Sequence, residues 1–181
     1  MLPIGPLMIE HRLIERMIKV MNSHVGQIEK QGKADLLFID TAVDFIRTYA
    51  DRCHHGKEED ILFRDLKTKN IAEEHSRVME ELLEEHRKGR RVTGRLVEAK
   101  DRYVQGNQEA LGEILECLKT LVDFYPKHIE KEDRHFFLPI MSYFSKEEKD
   151  AMLKEGYEFD QRLIHERYQN IVAQYEKVVT L

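Results

Sequence analysis

The sequence contains no tryptophan, two cysteines, four prolines and nine glycines in 181 residues. Two cysteines, Cys53 and Cys117, do not make a disulfide scaffold. No stretch alternates apolar and polar residues with β-branched enrichment, so strand signals are nearly absent. No apolar run approaches the roughly 18 residues that a membrane span needs, and the N-terminus lacks the apolar core of a signal peptide. A cytoplasmic protein with no membrane partner is therefore expected. The net charge of −5 is modest. No basic stripe marks a nucleic-acid face; Arg87, Lys88, Arg90, Arg91 and Arg95 read as the solvated side of a helix.

What is present is charge and helical periodicity. Charged residues make up 35% and apolar residues 41%, a balance that suits a folded helical chain of one well-cored domain. From about Pro6 to Lys30, Leu7, His11, Ile14, Ile18, Met21, Val25 and Ile28 recur at spacings of three and four, which draws one stripe down a helix. Gly32 ends it. A second segment, about Asp35 to Leu66, has Leu36, Val43, Ala50, His54, Glu58 and Ile61 on its stripe. A third, about Ile71 to Val104, runs through Val78, Leu82, His86, Gly89, Leu96 and Tyr103 and stops at Gly106-Asn107. The fourth carries Leu111, Ile114, Leu118, Leu121, Tyr125, His128, Glu132 and His135. Pro126 lies within it, where it either kinks the helix before His128 or opens a new one. Ser145-Lys146-Glu147-Glu148 reads as a capping box of less than ideal spacing, with one or two helices beyond it. Short polar turns between long helices imply antiparallel neighbours. The expected fold is all-α: an up-down-up-down four-helix bundle over residues 1–144, with an additional C-terminal helix or helices over 145–181 packed on the same domain.

Nine histidines are many for this length, and some repeat a pattern. His54-His55-Gly56-Lys57-Glu58-Glu59-Asp60-Ile61-Leu62-Phe63 and His128-Ile129-Glu130-Lys131-Glu132-Asp133-Arg134-His135-Phe136-Phe137 share a histidine, acids at the fourth and fifth positions after it, and an aromatic at the ninth. A spacing of four puts imidazole and carboxylate on one helix face, within reach of one metal ion. Such groups on a core stripe are costly unless paired or metal-bound. Height in the bundle gives a second test. Residues level with each other on antiparallel helices lie symmetrically about the turn between them. The midpoint of His11 and His54 falls at Gly32-Lys33, that of His54 and His86 at Asn70, and that of His86 and His128 at Asn107. All three are turns, so these four histidines should share one layer. His75, the rival on the third helix, gives midpoints inside helical pattern. Gly89, one turn after His86, leaves room on the same face.

The segment His54–Phe63, together with Glu10-His11-Arg12, Glu85-His86 ahead of Gly89-Arg90, and His128–Asp133, resembles the hemerythrin-like (HHE cation-binding) family over about residues 7–141. The resemblance implies a bundle holding an oxo- or hydroxo-bridged pair of iron ions. Carried over, the ligands are His11, His54, His86 and His128, with Glu58 and Glu132 bridging. Oxygen-carrying members place two histidines four apart on the third helix; here His86 is followed at that spacing by Arg90. The small partner implied is O2, NO or peroxide, in binding, sensing, iron handling or iron-centre repair, and an enzymatic role is not favoured. Imidazole and carboxylate would also admit zinc or manganese.

Around this set, His55 and Glu59 lie about 100° around the helix from His54 and Glu58, which makes them supporting or surface residues. His135 reads as either a fifth ligand or a packed histidine, and Tyr125 as lining the pocket or simply packing. His24, His165 and Tyr168 read as surface residues, and both cysteines as core thiols. Two other functions compete. A ferritin-like di-iron oxidase wants two Glu-x-x-His motifs, and only Glu132–His135 matches. A metal-free interaction bundle would scatter its histidines by height.

Overall fold

Helix α1 (Ile4–Gln31) buries Ile4 and the whole stripe from Leu7 to Ile28 in the computed structural model, which describes the backbone of residues 1–179 and the side chains of 1–163. His165 and Tyr168 lie outside the described side chains. The helix ends where Gly32 adopts a left-handed φ of 66° and its N–H donates to the Ile28 carbonyl at 2.8 Å. Asp35 caps the next helix by accepting from the Phe38 N–H at 3.0 Å.

Helix α2 (36–66) is α-helical over Leu36–Phe45 and then widens into π-helical turns over Ile46–His55 and Glu58–Phe63, closing on Arg64–Leu66. Helix α3 spans Glu73–Val104. It starts two residues later than its periodicity suggests, because Ala72 is extended and its N–H donates to the Tyr143 hydroxyl at 3.0 Å. Helix α4 (110–140) is α-helical over Ala110–Lys131, π-helical over Glu132–Phe136 and α-helical again over Phe137–Ile140. No new helix begins at Pro126, which sits inside the first of these stretches. Helix α5 (Lys146–Val179) opens with a full capping box: Ser145 Oγ accepts from the Glu148 N–H at 3.2 Å, and Glu148 Oε2 accepts from the Ser145 N–H at 2.8 Å. The spacing is therefore the standard one, contrary to the sequence reading.

The first four helices close a ring in which each packs on its chain neighbours and α4 returns to α1. Two apolar clusters fill the ring. One gathers Ile14–Ile28, Ile39–Ala50, Val92–Ala99 and Ile114–Ile129. The other gathers Ile4, Leu7, Ile61–Leu66, Met79, Leu82 and Phe136–Phe144, with Met152 from α5. Each cluster takes the late part of one helix and the early part of the next, as antiparallel packing requires. The layer of histidines lies between them, so it is closed at both ends by apolar side chains.

Helix α5 lies against α2. Arg64 makes a two-pronged bond to Glu155, at 2.7 and 2.9 Å, and Lys57 Nζ donates to Asp160 at 2.7 Å. The approach is close: a Cβ on Gly56 would stand 2.8 Å from the Phe159 ring. Both cysteines are free. Cys117 is core, but Cys53 is only half-buried and its thiol donates to Asp160 of α5 at 3.3 Å. His24 is half-buried, stacked on Phe38 at 3.5 Å, and so belongs to the packing of the α1–α2 turn and not to the open surface. Among the described residues no helix is long and apolar enough to cross a membrane.

Two glycines of α1 should respond oppositely to alanine. Gly26 is helical with open space around its Cβ position, so Gly26→Ala should stabilise by roughly 0.5–1 kcal/mol. Gly32→Ala must hold alanine at positive φ and should cost about 1 kcal/mol. Urea denaturation midpoints that moved in the same direction for both variants would contradict this assignment of the helix end.

Candidate metal centre

Five imidazoles and two carboxylates occupy the layer between the apolar clusters: His11 from α1, His54, His55 and Glu58 from α2, His86 from α3, and His128 and Glu132 from α4. Glu58 and Glu132 are 0% exposed, and no histidine of the group exceeds 2%. Glu58 turns Oε1 toward His54 Nε2 at 3.3 Å and Oε2 toward His86 Nε2 at 3.3 Å. Glu132 turns Oε2 toward His11 Nε2 at 3.1 Å and Oε1 toward His128 Nε2 at 3.3 Å, with His86 Nε2 at 3.7 Å. Each carboxylate thus presents one oxygen to each side of the layer. His11, His54, Glu58 and Glu132 offer donor atoms within 4.8 Å of one another, and so do His55, His86 and His128.

The Nε2 atoms of His11, His54, His86 and His128 and all four oxygens of Glu58 and Glu132 are buried without a hydrogen bond. Burying so many polar atoms unbonded is expensive. Eight of them converging on one small volume is what a cation-binding site requires.

The other ring nitrogens are fully engaged. Asp133 takes His11 Nδ1 at 2.7 Å, Glu10 takes His54 Nδ1 at 2.9 Å, Glu59 takes His86 Nδ1 at 2.7 Å and Glu85 takes His128 Nδ1 at 2.8 Å. Asp51 stands 3.4 Å from His55 Nδ1. Every one of these acids also meets a cation: Arg12 on Asp133, Lys57 on Glu10, Lys131 on Glu85, and Arg90 on both Glu59 and Asp51. A carboxylate on Nδ1 fixes ring orientation and leaves Nε2 as the donor toward the interior. Aromatic rings hold the imidazoles from behind, with Phe137 parallel to His11 at 5.7 Å and Phe124 against His128 at 5.3 Å.

Without metal the charges in the layer compensate one another. Burial alone would lower the His11 pKa, but the carboxylates of Asp133 and Glu132 push it up to about 10. His86, likewise disfavoured by burial, is pushed up to about 11 by Glu132, Glu58 and Glu59. Burial and the neighbouring Glu58 raise the Glu132 pKa, and the facing His128, His11 and His86 outweigh them, bringing it down to about 2. His55 goes the other way: burial, then the positive His86, lower it to about 3. At neutral pH the metal-free protein therefore holds protons here that a metal must displace. Because the folded pKa values of His11 and His86 are raised above 6.5, their contribution to stability is whole below that pH and is lost as pH rises through about 10 to 11.

The structure brings His11, His54, Glu58, His86, His128 and Glu132 together. His75 lies apart, hydrogen-bonded to the Tyr143 hydroxyl at 2.8 Å. Several expectations change. His55 is not a supporting or surface residue but a fifth imidazole of the layer, because α2 is π-helical there. An i→i+5 turn holds more residues per revolution than an α-turn, so His54 and His55 diverge less than about 100°. His135 is exposed, neither ligand nor packed: the π-turn Glu132–Phe136 delays the return of the stripe by one position, and Phe136 takes the core place. Arg90 is exposed, as a face residue should be, but it also bonds Asp51 and Glu59 at 2.8 Å. The space beside Gly89 belongs to Phe124 and Tyr125, not to the centre. Tyr125 is buried, with its ring parallel to His55 at 6.5 Å. Of the orienting acids, Glu10, Glu85 and Asp133 had a signal in the sequence, since each sits beside a site residue, and Asp51 had none.

A helical bundle with imidazoles and two shared carboxylates at mid-height is a metal-binding architecture of the hemerythrin type. The family model described as Hemerythrin HHE cation binding domain matches residues 2–166, and the chain belongs to that family. No curated protein and no solved structure matches the chain.

Two outcomes test the site. Metal uptake by the metal-free protein should release protons in weakly buffered solution and tighten as pH rises from 6 to 8; neither effect would appear if the site held no protons. His86→Ala should lose a large part of the bound metal, while His75→Ala and His135→Ala keep it; metal loss on His75→Ala would contradict the geometry.

Proposed function

We propose that the layer holds two iron ions, one among His11, His54, Glu58 and Glu132 and one among His55, His86, His128 and the second oxygens of the same carboxylates. The observation that carries this reading is the splitting of Glu58 and Glu132, each with one buried, unbonded oxygen aimed at each group. Oxygens of one carboxylate that face different imidazoles suit two ions better than one. Imidazole with carboxylate, and no cysteine in the layer, suits iron, with zinc or manganese as substitutes.

We further propose that this cytoplasmic protein binds or senses a small ligand, O2, NO or peroxide, and is not an enzyme with an organic substrate. Bound iron would supply redox-active coordination chemistry for such a ligand. The chain's own residues hold the rings in place through the five Nδ1 carboxylates, exclude bulk water with two apolar cores, and keep Glu58 and Glu132 ionised. Against a ferritin-like oxidase stands His135, which points out of the layer. Against a metal-free bundle stand the eight unbonded buried atoms.

Replacing either Glu58 or Glu132 by alanine should remove most iron from the anaerobically purified protein and, because metal binding is linked to folding, lower its melting temperature relative to the loaded wild type. Retention of full iron by both variants in elemental analysis would overturn the shared-carboxylate assignment.

A further inference from the structure

His55 differs from the other four imidazoles in three ways. Its orienting contact is the loosest, with Asp51 at 3.4 Å against 2.7–2.9 Å for the other four. A nitrogen–oxygen separation of that length is at the edge of hydrogen bonding. Its ring also lies flat on His86, with centroids 3.9 Å apart and planes within 10°. Parallel rings send their nitrogens along parallel lines, so His55 must tilt before it and His86 can share one ion. The stacking on His86 is what sets His55 apart: the other contacts between imidazoles that share a group are steep, 62° for His11 and His54, 75° for His86 and His128, and 82° for His55 and His128. Steep pairs can converge on a common point without rearrangement.

Third, His55 borders space. A cleft of about 290 Å³ reaches the layer at His55 and His86, between Ile46, Asp51, Arg90 and Thr93. Arg47 and Arg90 stand on its lining with the single acid Asp51, so the cleft admits a small anion. Arg90 spans its wall by bonding both Asp51 and Glu59, the two acids that orient His55 and His86. No other imidazole of the layer except His86 touches this cleft, and His86 is held at 2.7 Å.

We propose that His55 is the exchangeable ligand of the centre, and that a small anion arriving through this cleft takes its place on the ion shared with His86 and His128. The exchange breaks one imidazole–metal bond and forms one anion–metal bond; the ring leaves neutral, nothing is oxidised or reduced, and the charge at the ion falls by one. The cleft gives the ring somewhere to swing, and the π-turn of α2 places it there. The inference rests on the two-metal reading above.

Azide, titrated into the iron-loaded full chain and followed by absorption, is the probe. His55→Ala, compared with the wild type at equal iron loading, should bind azide about tenfold or more tightly, since no imidazole competes for the position. Added imidazole should compete with azide in His55→Ala and have little effect on the wild type. Asp51→Asn, which loosens the ring without removing it, should tighten azide binding by a smaller factor and serves if His55→Ala folds poorly. Unchanged azide affinity in both variants at full iron content would overturn the proposal while leaving the two-metal centre standing. Failure of a folded His55→Ala to hold iron even with imidazole added would also overturn it, by making His55 an obligatory ligand. Absence of iron from the wild type would overturn the centre and the exchange together.

Discussion

The fold is organised around two carboxylates that have been taken out of water. Glu58 and Glu132 are fully buried between two apolar clusters, and none of their oxygens has a hydrogen bond. An ionised group in such a place is tolerated only beside compensating charge. Protonated imidazoles supply it in the metal-free state and cations would supply it in the loaded state. The bundle can therefore carry a polar layer at mid-height only because the four helices deliver five imidazoles to the same level. Everything else, from the turn at Gly32 to the break at Asn107, sets that level.

The outer hydrogen bonds form a closed circuit. Glu10 of α1 holds His54 of α2; Glu59 of α2 holds His86 of α3; Glu85 of α3 holds His128 of α4; and Asp133 of α4 holds His11 of α1. Each helix orients a histidine of the next, so the layer fixes the relative height and rotation of all four helices at once. Helix α5 joins the circuit through Asp160, whose contact with Lys57 backs the Glu10–His54 pair. Arg90 stands one turn after His86 on α3, and the fifth imidazole of the layer, His55, comes from α2.

Much of this was legible in the sequence. Periodicity drew the buried stripe of α1 residue by residue, and turn midpoints put His11, His54, His86 and His128 level with one another because antiparallel helices of constant rise leave no other solution. The repeated histidine–x3–acid–acid pattern carried both kinds of carboxylate: the fourth-position acid faces inward, and the fifth-position acid reaches the neighbouring helix. What escaped was everything that depends on a π-turn. A reading at 3.6 residues per turn carries His135 inward and His55 sideways, and the π-helical parts of α2 and α4 reverse both. No local residue type announces a π-turn; it is stabilised by the layer it serves, so it becomes visible only in three dimensions. The role of Arg90 was hidden for the same reason, since Asp51 reaches it from the π-helical part of α2.

The central claim is that Glu58 and Glu132 together join two metal ions. Anomalous diffraction at the iron edge from crystals of the iron-loaded protein tests it most directly. The account predicts two peaks in the layer, about 3.5–4 Å apart, one beside His11 and His54 and the other beside His86 and His128, with both carboxylates between them. A single peak, or a peak elsewhere than between the two apolar clusters, would contradict it.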